Sequence, residues 1–146
     1  MTRIVIMGLW LVVLSFVYLK VPFFRGLFET DEQHLTAYFV LFIWAALFNG
    51  FNVRDDGFGI FKGLGENKDF IRVFLAIVAI QAVIVNAALI PLGAFTFIGE
   101  MFSCTPFGPA GWVAVILLAV TMIPVDLIRK AITNAVTGEK TEAKKA

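Results

Sequence analysis

Hydrophobic and polar positions fall into four long apolar runs separated by short polar stretches. The runs cover residues 4–19, 35–53, 70–90 and 110–128. A helix needs about 20 mostly apolar residues to cross a bilayer's hydrocarbon core. The last three runs meet that length, and the first does so if Val21, Pro22 and Phe23 extend it. A helix in a water-soluble domain keeps a polar face, and these runs have none. The pattern therefore predicts an all-α polytopic membrane protein with four transmembrane helices.

Composition agrees: 60% of residues are hydrophobic and 16% charged, with most of the charges in connecting segments and the tail. The first run ends in Phe16, Val17, Tyr18, Leu19 and Lys20. It lacks the small-residue cleavage site of a signal peptide and reads as a retained helix. Cys104 is the single cysteine, which excludes an intramolecular disulfide. In 146 residues, four membrane helices leave no room for a nucleotide-binding or other soluble domain.

Basic residues divide unequally between the two ends of the helices. One end takes Arg3, Arg54, Lys62, Lys68, Arg72, Arg129, Lys130, Lys140, Lys144 and Lys145, and the other only Lys20 and Arg25. The positive-inside rule then places both termini of this multi-pass membrane protein in the cytoplasm. On the outer side, the segment 91–109 carries one charge, Glu100, among four phenylalanines. Its prolines and glycines argue against a continuous helix, and it reads as a loop on the membrane surface. On the inner side, Asp55, Asp56 and Gly57 mark a turn, with a short amphipathic stretch at 58–61. Residues 1–132 form the membrane domain, and 133–146 are expected to be a polar, disordered cytoplasmic tail.

Polar residues inside membrane helices are costly and mark sites or seams. Asn49 and Asn52 share a helix face with Ala46 and Gly50 beside them, and Gln81 and Asn86 lie on the third run. Small residues let helices approach while amides hydrogen-bond across the contact, so Ala46, Asn49, Gly50, Asn52, Gln81 and Asn86 are candidates for helix packing. Neutral amides alone make poor cation sites, because hard cations draw on several oxygens and usually carboxylates. Asp126 is the one acid within a run. Arg129 and Lys130 follow at i+3 and i+4, which predicts an ion pair at the cytoplasmic end. Pro124 should bend that helix. His34, the only histidine, sits at a boundary where solvation is expected. Catalytic, cofactor-binding and metal residues are all read as absent, and nothing points to nucleic acid.

Five short motifs, in order, resemble the last four membrane helices of P-type cation-transporting ATPases, closest to the plasma-membrane-type calcium pumps. Asn49-Gly50-Phe51-Asn52-Val53-Arg54 is similar to the end of the family's eighth helix. Gly59-Ile60-Phe61-Lys62-Gly63, with Asn67 and Phe70, resembles the inner loop that follows. Gln81-Ala82-Val83-Ile84-Val85 resembles the ninth helix. Thr105-Pro106 with Trp112, and Pro124-Val125-Asp126 with Arg129-Lys130, resemble the start and end of the tenth. The outer loop at 87–101 is longer than the family pattern.

The resemblance implies a partner: the remaining membrane helices and cytoplasmic domains of a ten-helix pump. There, an aspartate in Asp-Lys-Thr-Gly-Thr takes phosphate from ATP. ATP, magnesium and calcium are implied for that complete protein, and no cofactor for this chain. Calcium in the plasma-membrane branch is held by the fourth, fifth and sixth helices. The sarcoplasmic-reticulum branch adds a glutamate at the position of Ala46, so no calcium ligand carries over. Met1 matches an internal family position, which suggests a fragment, a split gene product or a truncated reading frame. The resulting expectation is a supporting unit, not catalytic alone, that braces the transport helices. The alternative is an autonomous four-span protein that self-associates or acts as an accessory subunit. A membrane-embedded enzyme is disfavoured, since its spans would be expected to cluster histidines or acids.

Overall fold

The computed structural model describes residues 2–54, 67–91 and 93–143, and every regular element among them is helical. The helices are α1 (Thr2–Lys20), α2 (Pro22–Arg25), α3 (Asp31–Arg54), α4 (Lys68–Asn86), α5 (Gly93–Phe102), α6 (Pro109–Val120) and α7 (Met122–Ala143), with a 3₁₀ turn at Ala87–Leu89 after α4. Four stretches are long and apolar enough to cross a membrane: Arg3–Lys20, Asp31–Val53, Lys68–Leu89 and Pro109–Val136. They run alternately up and down. The turn expected at 55–57, the stretch at 58–61 and the motif residues 59–63 lie outside the described residues, as do 144–146.

Local chemistry sets the boundaries. Lys20 closes α1 in the last turn, where a cation favours the helix dipole. Val21 is then extended, as the residue before a proline tends to be, and Pro22 opens α2. Asp31 and Glu32 occupy the first turn of α3. There the Thr30 hydroxyl accepts the Gln33 N–H at 3.2 Å, and the Gln33 side chain accepts the Glu29 N–H at 3.0 Å. Asn67 caps α4 by accepting the Phe70 N–H at 3.0 Å.

The outer segment contains more structure than its composition suggests. Pro91 separates the 3₁₀ turn from α5, and α5 ends with Ser103 at φ 51°. Ser103 N–H bonds the Glu100 carbonyl and Cys104 N–H the Gly99 carbonyl, both at 3.1 Å, which together form a left-handed helix stop. The polar segment after Ile132, expected to be disordered, is helical as far as Ala143. Extending an existing helix adds one hydrogen bond per residue fixed, without a new nucleus, and no proline intervenes.

Helix α3 is central, packing against α1, α4, α6 and α7. Ala37, Val40, Leu41 and Ala45 on α3 are fully buried with Val115, Ala119 and Met122. Glycine at position 111 is required for this approach: a Cβ there would lie 2.5 Å from the Phe28 ring and 2.8 Å from Phe107. Helix α4 meets α3 through rings, with Phe70 and Phe74 set edge-on to Phe51 at 5.0 and 5.2 Å.

Candidate functional site: a polar seam between helices

At the end of the bundle that carries the termini, three helices meet through polar groups. Asn52 of α3 has no solvent exposure. Its amide nitrogen donates to the Met122 carbonyl of α7 at 2.8 Å and to Asn49 Oδ1 at 3.3 Å. Arg3 of α1 donates to the Asn52 backbone carbonyl. One residue thus receives α1 on its backbone and reaches α7 with its side chain.

Four residues further along α7, Asp126 is also fully buried. Arg129 Nε donates to its Oδ1 at 2.7 Å. Lys130 Nζ lies 3.1 Å from Oδ2, an ionic contact without hydrogen-bond alignment. Two cations therefore face one carboxylate. All three members are consecutive-turn neighbours on one helix face.

The last membrane segment breaks at Thr121, between α6 and α7. Pro124 has no N–H to offer the Val120 carbonyl, so the helix cannot continue its bonding there. The Thr121 hydroxyl donates to the Leu118 carbonyl at 2.6 Å, which tightens the bend. Trp10 Nε1 of α1 donates to the same hydroxyl at 3.3 Å. The bend is thereby held by Trp10 from α1 and by Asn52 from α3.

The remaining candidate residues are more dispersed. Gly50 faces α4, where an added Cβ would stand 3.5 Å from the Phe70 ring. Gln81 is buried, and its amide reaches the Phe39 carbonyl of α3 at 3.5 Å, the limit of a hydrogen bond. Asn86 turns back on its own helix, donating to the Ala82 carbonyl at 2.8 Å. Ala46 is exposed in a groove beside Gly8, and its neighbour Ala45 occupies the buried seam. Among the described residues, no three His, Cys, Asp or Glu side chains gather as a metal site requires.

The opposite end is closed by aromatic packing. His34, expected to be solvated, is instead buried, its ring 4.7 Å from Tyr18 and 5.5 Å from Phe28. Tyr18 OH donates to the His34 carbonyl at 3.1 Å. Phe28 continues to Phe107 at 5.6 Å, and Phe107 stacks on Trp112 at 4.8 Å. Thr105 N–H donates to Thr36 Oγ1 and Gln33 Nε2 to the Pro106 carbonyl, both at 3.0 Å. Together these tie the 103–108 connection to α3. Sequence reasoning did not find Trp10, Thr121, Tyr18 or Arg3 as joints; only Thr121, three residues before an intramembrane proline, carried a readable sign.

Residues 1–132 match the family described as cation transporting ATPase, C-terminus. Calcium-transporting ATPase 2 of Schizosaccharomyces pombe is 31% identical over 101 residues, 68% of this chain. The match spans 7% of the length of that relative. No solved structure matches the chain significantly.

Proposed function

Because this chain belongs to the cation transporting ATPase C-terminus family, we propose that its four spans brace the ion-transporting helices of a P-type calcium pump and catalyse nothing alone. The observation that carries this reading is Asn52. Its donor is spent on the Met122 carbonyl and on Asn49, not turned toward an open cavity. Such a group fixes helices relative to one another, which is what a brace must do. In this reading the partners are the lipid bilayer and the other membrane helices and cytoplasmic domains of the pump. ATP, magnesium and calcium act on those parts. The end bearing Arg3, Arg129 and Lys130 faces the cytoplasm of a plasma membrane, as the excess of basic residues favours.

Phosphoryl transfer needs positioned phosphate contacts, a metal ion and an oriented nucleophile. Tight calcium binding needs six to eight oxygens. The purified chain should therefore show no calcium-stimulated ATP hydrolysis and no saturable micromolar calcium binding. Supplying a six-helix portion with its cytoplasmic domains should produce both. ATP hydrolysis by the chain alone, with contaminating pumps excluded, would sink the proposal. Stable self-association without pairing to that portion would favour an autonomous protein instead.

A further inference from the structure

At the end of the bundle opposite the termini, the chain's only histidine is buried. The His34 ring stacks on Tyr18 and lies against Phe28, and its Nε2 has no hydrogen-bond partner among the described residues. Phe28 in turn meets Phe107 edge-on. On either side of His34, Gln33 donates to the Pro106 carbonyl and Thr36 accepts the Thr105 N–H. The histidine thus underlies the contacts that hold the 103–108 connection, and with it the start of α6, on α3. A neutral imidazole leaves one nitrogen bare, whereas the imidazolium donates from both. Charged, Nε2 would be a buried donor with nothing to donate to, which carries the full cost of desolvation. Burial and Arg25 of α2 oppose a positive ring, while the Tyr18 backbone of α1 and Asp31 of α3 favour one. Asp31 is already committed to Arg25, whose Nε donates to its Oδ1. The Tyr18 and Phe28 rings attract a cation, but they do not replace the hydrogen bonds that an imidazolium makes to water.

We propose that His34 is an acid-sensitive latch. Neutral, it holds the 103–108 connection on α3; protonated from the side opposite the termini, it releases that connection. In the released state the ring meets water and takes its proton near the ordinary value for histidine of about 6.5. In the latched state it stays neutral. The latch is therefore complete above about pH 6.5 and is lost as pH falls below it. Protonation weights the released state by about 1.1 at pH 7.5 and by about 11 at pH 5.5, so the ratio of released to latched chain rises about tenfold between them. Release frees the entry to α6 and leaves the Asn52 joint, at the other end of the bundle, in place.

The test is amide hydrogen exchange of the full chain in micelles, corrected for intrinsic exchange at each pH. Protection of the Thr105 amide should fall about tenfold from pH 7.5 to 5.5, while the buried middle of α3, from Val40 to Ala45, keeps its protection. His34→Phe retains a stacking ring that cannot titrate and should remove the pH dependence. His34→Gln, also without a titrating ring, carries the same test if the phenylalanine variant does not fold. Labelling histidine with nitrogen-15 reports this one ring in the native chain, and its charged form should appear over the same pH range as the loss of protection. Constant protection of Thr105 in the native chain would overturn the proposal. So would an undiminished pH dependence in either His34 variant, an equal loss of protection in the middle of α3, or a ring that becomes charged while Thr105 stays protected.

Discussion

Replacing Asn52 by alanine removes one buried 2.8 Å hydrogen bond to the Met122 carbonyl and one longer 3.3 Å contact to Asn49. Hydrogen bonds between membrane helices contribute about 0.6 kcal/mol on average and up to about 1.7, because a chain unfolded in the membrane finds other partners. The short bond, fully buried, belongs in the upper half of that range. The small cavity left behind adds to the loss. Removing Asn52 Oδ1, which is buried without a partner, offsets part of it. A net cost of about 1.5 kcal/mol follows. Asn49→Ala gives up only the acceptor of the long contact at a half-buried position, and should cost about 0.5 kcal/mol. Asn52→Asp keeps the shape but turns an acceptor toward the Met122 carbonyl, and should cost more than alanine. Reversible unfolding in mixed micelles, followed by helical circular dichroism, measures all three. Equal costs for the Asn49 and Asn52 alanine variants, or an aspartate variant as stable as the native chain, would refute the assignment of Asn52 as the joint.

Two further outcomes follow from packing and burial. Gly111→Ala should lower stability by about 1–3 kcal/mol, since the new methyl meets the Phe28 and Phe107 rings. Gly8→Ala, with nothing within 4 Å of the added atom, should be neutral or stabilising by up to about 1 kcal/mol; thermal scans showing the reverse order would contradict the structure. Burial pushes the Cys104 thiol above its ordinary value. Its reaction with an impermeant maleimide should therefore be slower in the folded chain than in the unfolded chain at the same pH, and should speed up as pH rises. After unfolding it should react in the usual range, and in intact cells the slow reaction should come from the face opposite the termini. Fast labelling at neutral pH, or labelling from the termini's side alone, would contradict burial or orientation respectively.

The four membrane crossings were legible because hydrophobic length is a direct reading of bilayer thickness. The faces used for packing were not. In α3, apolar residues surround the helix on all sides, so periodicity cannot distinguish Ala45, which is buried, from Ala46, which is exposed. Amides and the Asp126 group stand out against that uniform background, and both lie at helix contacts or within one buried face. Asn86 shows the limit of that signal, since its side chain bonds its own helix. His34 was misjudged because its surroundings are assembled from Tyr18, Phe28 and Phe107, which are distant in sequence. Trp10 offered no clue: its partner lies 111 residues away, and nothing in the local pattern around either residue refers to the other.

The break at Thr121 makes α7 a lever. From Met122 to Ala143 it has 22 residues, a length of about 33 Å at 1.5 Å per residue. A rotation of about 10° at the Thr121 pivot would carry the far tip through about 6 Å. Trp10 and Asn52 hold the pivot and its first turn, so the direction in which the terminal arm points is set by α1 and α3. A small shift of either helix would be read out, enlarged, beyond the membrane surface.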